Sequence, residues 1–320
     1  MGGVCTACIR DYKLAGEFKE LDIESVKKNL SSRKTLPYVI KIQAAWRGYS
    51  LRKSLIQESS DLMNEFSRKA ESMLEPFNYG SQQTENVTKK PPVKLPDCSI
   101  YIGEWNLSLS QREGRGIHYT KNGAKYEGYW KDDKPNGYGR LIHSDGDVYE
   151  GEWLNNKAHG KGVYMHLDGA KYDGNWKNDK QDGNGIEMWP DGAKYEGEYR
   201  EGNKQGHGKF FWADGSRYEG EFWKNNIHGV GTYHWPDGKS YAGMWKDNKM
   251  NGEGKFTWPD GKVFHGVYKD DKKDGPGVLE WADGRKFYGK WKDGRLEESG
   301  TMVLPTGEKK EGVWMNGKSL

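Results

Sequence analysis

The chain has 320 residues, with 50 Lys and Arg against 47 Asp and Glu; a net charge of +3 is too balanced to point to nucleic acid. Only 34% of residues are hydrophobic, yet aromatics reach 13% with 14 Trp, so the placement of a few large rings decides between order and disorder. Three cysteines make no disulfide framework and suggest a reducing compartment, while the lack of a long apolar run or signal-peptide core predicts a chain neither membrane-spanning nor secreted.

Residues 1–16 open with Met1-Gly2-Gly3-Val4-Cys5-Thr6, which fits the pattern for N-myristoylation at Gly2. Cys5 and Cys8 stand beside it as candidates for palmitoylation. One acyl chain gives marginal membrane binding and a second makes it stable, so the combination has physical sense. An ordinary N-terminus and a metal or redox Cys pair are the alternatives, and no second Cys pair or nearby His completes a zinc site.

A helical arm is expected over 17–75. Residues 17–30 have mixed helical spacing, and from Tyr38 to about Leu74 breakers are few, with Pro37 suited to a first turn and Pro76 ending the run. Within it lies Ile42-Gln43-Ala44-Ala45-Trp46-Arg47-Gly48-Tyr49-Ser50-Leu51-Arg52. No Asp or Glu occurs between Val26 and Gln57, whereas eight Lys and Arg fall in 27–53. A basic helix of this kind docks in a partner's groove, packs on its own protein or lies on anionic lipid.

The eleven residues resemble the IQ motif, the docking helix for calmodulin and calmodulin-like light chains. By that resemblance Val39, Ile42, Trp46, Tyr49 and Leu51 fill the partner's lobes, and Gln43 bonds the backbone of one lobe. Arg47 and Arg52 face acidic residues, and Gly48 permits close approach. Residues 76–98, with Lys89-Lys90-Pro91-Pro92, read as a linker with an extended Pro-rich end.

From residue 99 to 320 the chain repeats. Starts at Tyr126, Tyr149, Tyr172, Tyr195, Tyr218, Tyr241, Phe264 and Phe287 are 23 residues apart, with a looser copy at Tyr101 and a fragment at Gly312 and Trp314. Such a period signals a solenoid. Tyr149, Gly151 and Trp153 alternate with Glu150 and Glu152, so on a strand they share one face. A polar loop (131–136 in the first regular copy) leads to a second run beginning near Gly137 and Gly139, and Asp-Gly pairs such as Asp191-Gly192 close the unit as a turn. Each unit is therefore a β-hairpin whose glycines make room for rings, and nine of them stack into a rod on the order of 85 Å long.

Tyr-Glu-Gly-Glu-Trp, His-Gly-Lys-Gly and Asp-Gly-Ala-Lys-Tyr together resemble the MORN repeat over about 101–320. That resemblance implies an elongated, twisted stack of hairpins and a non-catalytic scaffold at membranes or in cilia. Tyr199, Phe222 and Tyr268 replace the usual Trp, and Glu298 replaces a Gly. The fold expected is mainly β, an elongated solenoid of antiparallel hairpins with a long N-terminal α-helix.

No repeated Gly-x-Gly opens a helix after a strand, and the Asp270–Gly275 loop lacks calcium-ligand spacing, so no phosphate loop, metal site, cofactor or enzymatic activity is expected. His159, His207 and His228 hold equivalent places and read as repeat features, and the regular Glu residues as a solvated face. Trp189, Trp212, Trp235, Trp258 and Trp281 recur where earlier copies have His143 and His166. They read as core or as a partly exposed groove for a partner helix, the chain's own arm among the possible ligands. The function expected is an adaptor that binds calmodulin or a light chain through the arm and an unidentified protein through the array, near a membrane or the cytoskeleton. A structural axonemal component is one alternative. A phosphoinositide module using Lys131, Lys134, Lys157, Lys177 and Lys180 is another.

Overall fold

Seven-residue strands alternate with nine-residue strands, and each successive described pair is antiparallel. The computed structural model describes residues 36–82, 84–312, 314–315 and 318–319. Gly2, Cys5, Cys8 and the helix expected at 17–30 lie outside those residues, as do the side chains of Val39 and Ile42. Contacts divide the chain into two compact units. One is the part up to Lys134 with Arg140–Gly146; the other is Pro135–Gly139 with Asp147 onward.

The first unit holds helices α1 (Leu36–Leu62) and α2 (Glu65–Ser72). The single helix expected to Leu74 is thus two. Asn64 causes the break: its backbone is extended, its side chain caps α2 by accepting from the Ser67 amide, and its Nδ2 donates to the Ser144 carbonyl at 2.7 Å. The segment read as a linker is also partly sheet. Short strands β1 (Thr88–Lys89) and β2 (Val93–Lys94) both pair with β3 (Ile100–Asn106), and Pro91 and Pro92, which have no amide hydrogen to donate, separate them. Strands β4 (Gln111–Tyr119) and β5 (Lys125–Lys131) continue the sheet of this unit.

In the second unit hairpins run from Val148–Leu154 with Lys157–Met165 to Lys286–Lys292 with Arg295–Val303, and Lys309–Gly312 pairs with the last strand. The loop expected over six residues is a tight turn of two. Both turn residues have positive φ, as at Asn155 (51°) and Asn156 (68°) or Asp270 (45°) and Asp271 (67°), so the second strand starts three residues earlier than the glycines suggest. This primed turn matches strand twist, and Asn, Asp and Gly tolerate it best. Its second residue also ties hairpin to hairpin. The Asp179, Asn225, Asn248 and Asp271 side chains each accept a backbone N–H of the preceding hairpin at 2.8 Å. At the other end the Asp-Gly turn behaves as expected, with Asp191 accepting from the Ala193 amide at 2.9 Å and Gly192 at φ 89°.

The reason for glycine between rings is visible at Gly162. A Cβ there would stand 2.4 Å from the Tyr149 hydroxyl and 2.6 Å from its Cζ, because that ring lies flat across the glycine. Tyr149, Gly151 and Trp153 are all buried on one face, while Glu152 is exposed on the other. The strand bulges between Gly151 and Trp153, which gives the tyrosine hydroxyl a backbone acceptor. The Glu152 carbonyl at that bulge accepts the Tyr149 hydroxyl at 2.9 Å, and Tyr172, Tyr195, Tyr218 and Tyr241 repeat the bond at 3.0–3.1 Å. The next indole closes the stack: Trp176 Nε1–H donates to the Gly162 carbonyl at 3.0 Å, with its ring edge-on to Tyr149 at 5.2 Å. Each such ring pair adds roughly 0.5–1.5 kcal/mol beyond its buried area.

Candidate binding surfaces

α1 contains the residues expected to take part in docking. Gln43, Arg47 and Leu51 are exposed, Leu51 at 62% of its surface, while Trp46 and Tyr49 are half-buried with ring centroids 5.8 Å apart. Gly48 makes room within the helix itself, since a Cβ there would meet Arg52 Nη1 at 3.3 Å. Lys41, Arg47 and Lys53 have no acidic partner among the described residues. A row of cations without counter-charges on an exposed helix is suited to an acidic groove.

The C-terminal part of the arm is fixed to the hairpins of its own unit. Lys125 Nζ lies 2.6 Å from Glu71 on α2 and 3.0 Å from Glu127, and Arg140 donates to the Glu75 carbonyl at 2.8 Å. Glu58 on α1 pairs with Lys94. Tyr129 is only 1% exposed; its hydroxyl donates to the Gln82 carbonyl at 3.0 Å and its ring meets Tyr79 edge-on at 5.8 Å. Burial pushes the Tyr79 hydroxyl well above the usual range for a phenol. These contacts all use the sheet face opposite the Tyr126 and Trp130 rings. They are not among the expectations from the sequence, although Tyr129 carries a signal: it stands where the next four copies have Glu152, Asn175, Glu198 and Glu221.

The candidate groove residues Trp189, Trp212, Trp235, Trp258 and Trp281 are all half-buried at the border of the second unit's core. They do not stand alone. Trp189, Phe210, Trp212, Tyr233, Trp235, Phe256 and Trp258 form a continuous run of stacked and tilted rings with centroids 4.4–5.5 Å apart. Each of them packs against the core while keeping part of its surface exposed. Cations cap the run: Lys204 lies 5.0 Å from the Trp189 centroid, Lys262 4.9 Å from Trp258, and Arg285 5.3 Å from Trp281.

The opposite face of this unit is polar. A trough of about 870 Å³ has Gly174, Gly185, Gly197 and Gly208 as its floor and Lys161, Glu196, His207 and Lys209 on its sides. Part of the expected solvated Glu row also has a structural task, for the Glu152 and Glu198 carboxylates accept the Lys161 and His207 amides at 3.1 Å above bulge glycines. Lys131, Lys134, Lys157, Lys177 and Lys180 are exposed beside their turns. No group of three metal-ligating side chains occurs among the described residues, and none of their helices is long and apolar enough to cross a membrane.

Antiparallel hairpins in register, carrying a continuous ring face and joined to a basic docking helix, define a repeat-type binding protein. The MORN repeat model matches residues 126–148, 149–171, 172–194, 195–217, 218–240, 241–263, 264–284 and 287–309, and the IQ calmodulin-binding motif matches residues 38–56. With more than half of its residues matched, the chain belongs to the MORN-repeat family. The hairpin at Ile100–Tyr119 lies outside the match; it keeps the register but has a longer turn. A search of curated proteins gave no match. Among solved structures, the TCP domain of SAS-4 of Drosophila melanogaster, in complex with a proline-rich motif of Ana2, is similar at 14% identity, 48% of this chain, 83% of that chain and a TM-score of 0.33. The TCP10 domain of Danio rerio CPAP gives 12%, 62%, 97% and 0.26, and the virginiamycin B lyase of Staphylococcus aureus 15%, 73%, 75% and 0.15. Scores this low carry no argument about function.

Proposed function

We propose that this protein is a non-enzymatic adaptor. Calmodulin or a calmodulin-like light chain binds α1, a second protein binds the ring face of the hairpins, and the N-terminus holds the assembly at a membrane through acyl groups on Gly2 and Cys5 or Cys8. The observation that carries this reading is α1 itself. Its exposed Gln43, Arg47 and Leu51 belong to a stretch of α1, up to Gln57, that has no acidic residue, while α2 just beyond is clamped through Glu71 and Glu75. A light chain on α1 is thereby held at a defined place on the first hairpins.

Titration calorimetry of the whole chain with calmodulin, with and without calcium, tests it. Arg47→Glu together with Arg52→Glu is expected to weaken binding at least tenfold, since each reversed charge faces an acidic groove. Equal affinity of variant and parent would remove the light-chain assignment. Intact mass bearing a fatty acyl group on Gly2 is the result expected for membrane attachment; an unmodified Gly2 favours a permanent cytoskeletal or axonemal placement.

A further inference from the structure

The second unit contains the same tyrosine–lysine pair twice, three repeats apart. Tyr199 faces Lys204 across one hairpin and Tyr268 faces Lys273 across another. The rings around the two lysines occupy equivalent positions, with Phe264 in the place of Tyr195. Lys204 lies 5.0 Å from the Trp189 centroid and 5.1 Å from Tyr195; Lys273 lies 5.1 Å from Trp258 and 4.4 Å from Phe264.

The acceptor differs, and Lys262 stands where the first copy has Ala193. In the first copy the Glu187 carboxylate satisfies both groups, receiving Lys204 Nζ at 2.6 Å and the Tyr199 hydroxyl at 2.9 Å. The residue in the place of Glu187 in the second copy is Phe256. Lys273 accordingly has no carboxylate partner among the described residues, and the Tyr268 hydroxyl is buried without a hydrogen bond, its residue only 4% exposed. A cation and a hydroxyl enclosed by rings without an acceptor are costly to keep. Burial accordingly pulls the Lys273 ammonium down to about 8, with Lys262 adding to the effect.

We infer that Tyr268 and Lys273 form a receptor for a carboxylate supplied by a partner protein, an Asp or Glu flanked by apolar residues that lie on the adjoining Trp235–Phe256–Trp258 rings. The internal copy at Glu187 shows what completes the site, and the charge shows what the partner must bring. The inference rests on the reading of the ring face as a docking surface and names the chemistry of its occupant.

The probe is 3-phenylpropionate, with 3-phenylpropionamide as its uncharged counterpart. The whole chain is reductively methylated with ¹³C, and the Lys273 signal is identified by its loss in Lys273→Arg. The carboxylate is expected to raise the Lys273 titration midpoint from about 8 by one pH unit or more. The amide is expected to leave it in place, and Lys204 to be unmoved by either. Phe256→Glu should raise the midpoint without any probe and abolish the probe's effect. In Lys273→Met the preference for carboxylate over amide should vanish while ring signals still respond. If both compounds shift the indole signals equally and the midpoint stays, the carboxylate assignment is wrong and the ring face still docks apolar groups. If neither compound moves any signal, both ideas fall.

Discussion

The charged face of the hairpins is finished in two different ways. At residues 101–142 it is covered: Tyr129, Arg140 and Lys125 hold α2 and the segment at 75–82. From residue 149 onward the same strand positions carry Glu152, Asn175, Glu198 and Glu221, then Met244 and Val267, and Glu152, Glu198 and Met244 are exposed. The hairpin is common to both regions, so its ring face determines the fold. The alternate positions, free of that duty, determine whether a unit is a base for the arm or a surface open to solvent.

The strongest test of that contrast makes the first region resemble the second. Tyr129→Glu restores the Tyr-Glu-Gly-Glu-Trp form of later copies and places a carboxylate where a ring is 1% exposed. It is expected to cost about 3 kcal/mol of arm docking. Hydrogen exchange should then rise throughout 57–98 and stay unchanged beyond 149.

A smaller effect comes from pH. His118 bonds Ser99 at 2.8 Å and lies edge-on to Trp130 at 5.7 Å; burial, helped by Arg112, lowers it from 6.5 to about 4. The unfolded chain thus takes up this proton first, and stability present above pH 6.5 is lost as pH falls towards 4. After discounting for partial solvation the loss is about 2 kcal/mol. Acid titration monitored separately at 99–130 and 195–303 should show the first region melting earlier, and His118→Phe should remove the difference.

The smallest effect refines the contrast within the second region. Tyr199→Phe strips a donor from Glu187 and is expected to destabilise by about 1 kcal/mol, whereas Tyr268→Phe removes a hydroxyl without a partner and should be neutral or slightly stabilising. Equal losses in thermal unfolding would mean that the two pairs are equivalent after all.

Much of this molecule is legible in one dimension because a period of 23 residues repeats the same local problem. Ring, glycine and ring at alternate positions admit one face, and Asp-Gly admits few turns, so hairpins and stacking follow from spacing alone, while the residues proposed to dock on α1 come from its resemblance to the IQ motif. Less visible were the two-residue turns at pairs such as Asp132-Asp133 and Lys224-Asn225, since their backbone twist has a weaker signature than glycine.

Tertiary structure decided what single departures from the repeat mean. Asn64 reads as an ordinary helical residue until the Ser144 carbonyl stands beside it, and Tyr129 as a variant letter until Gln82 and Tyr79 cover it. Phe256 stands in the place of Glu187 by the period, but what its departure removes is visible only when Glu187 is seen to receive Lys204 and Tyr199. Periodicity specifies contacts that every copy makes with its neighbour, whereas contacts made once join residues far apart in the chain and leave no period to read.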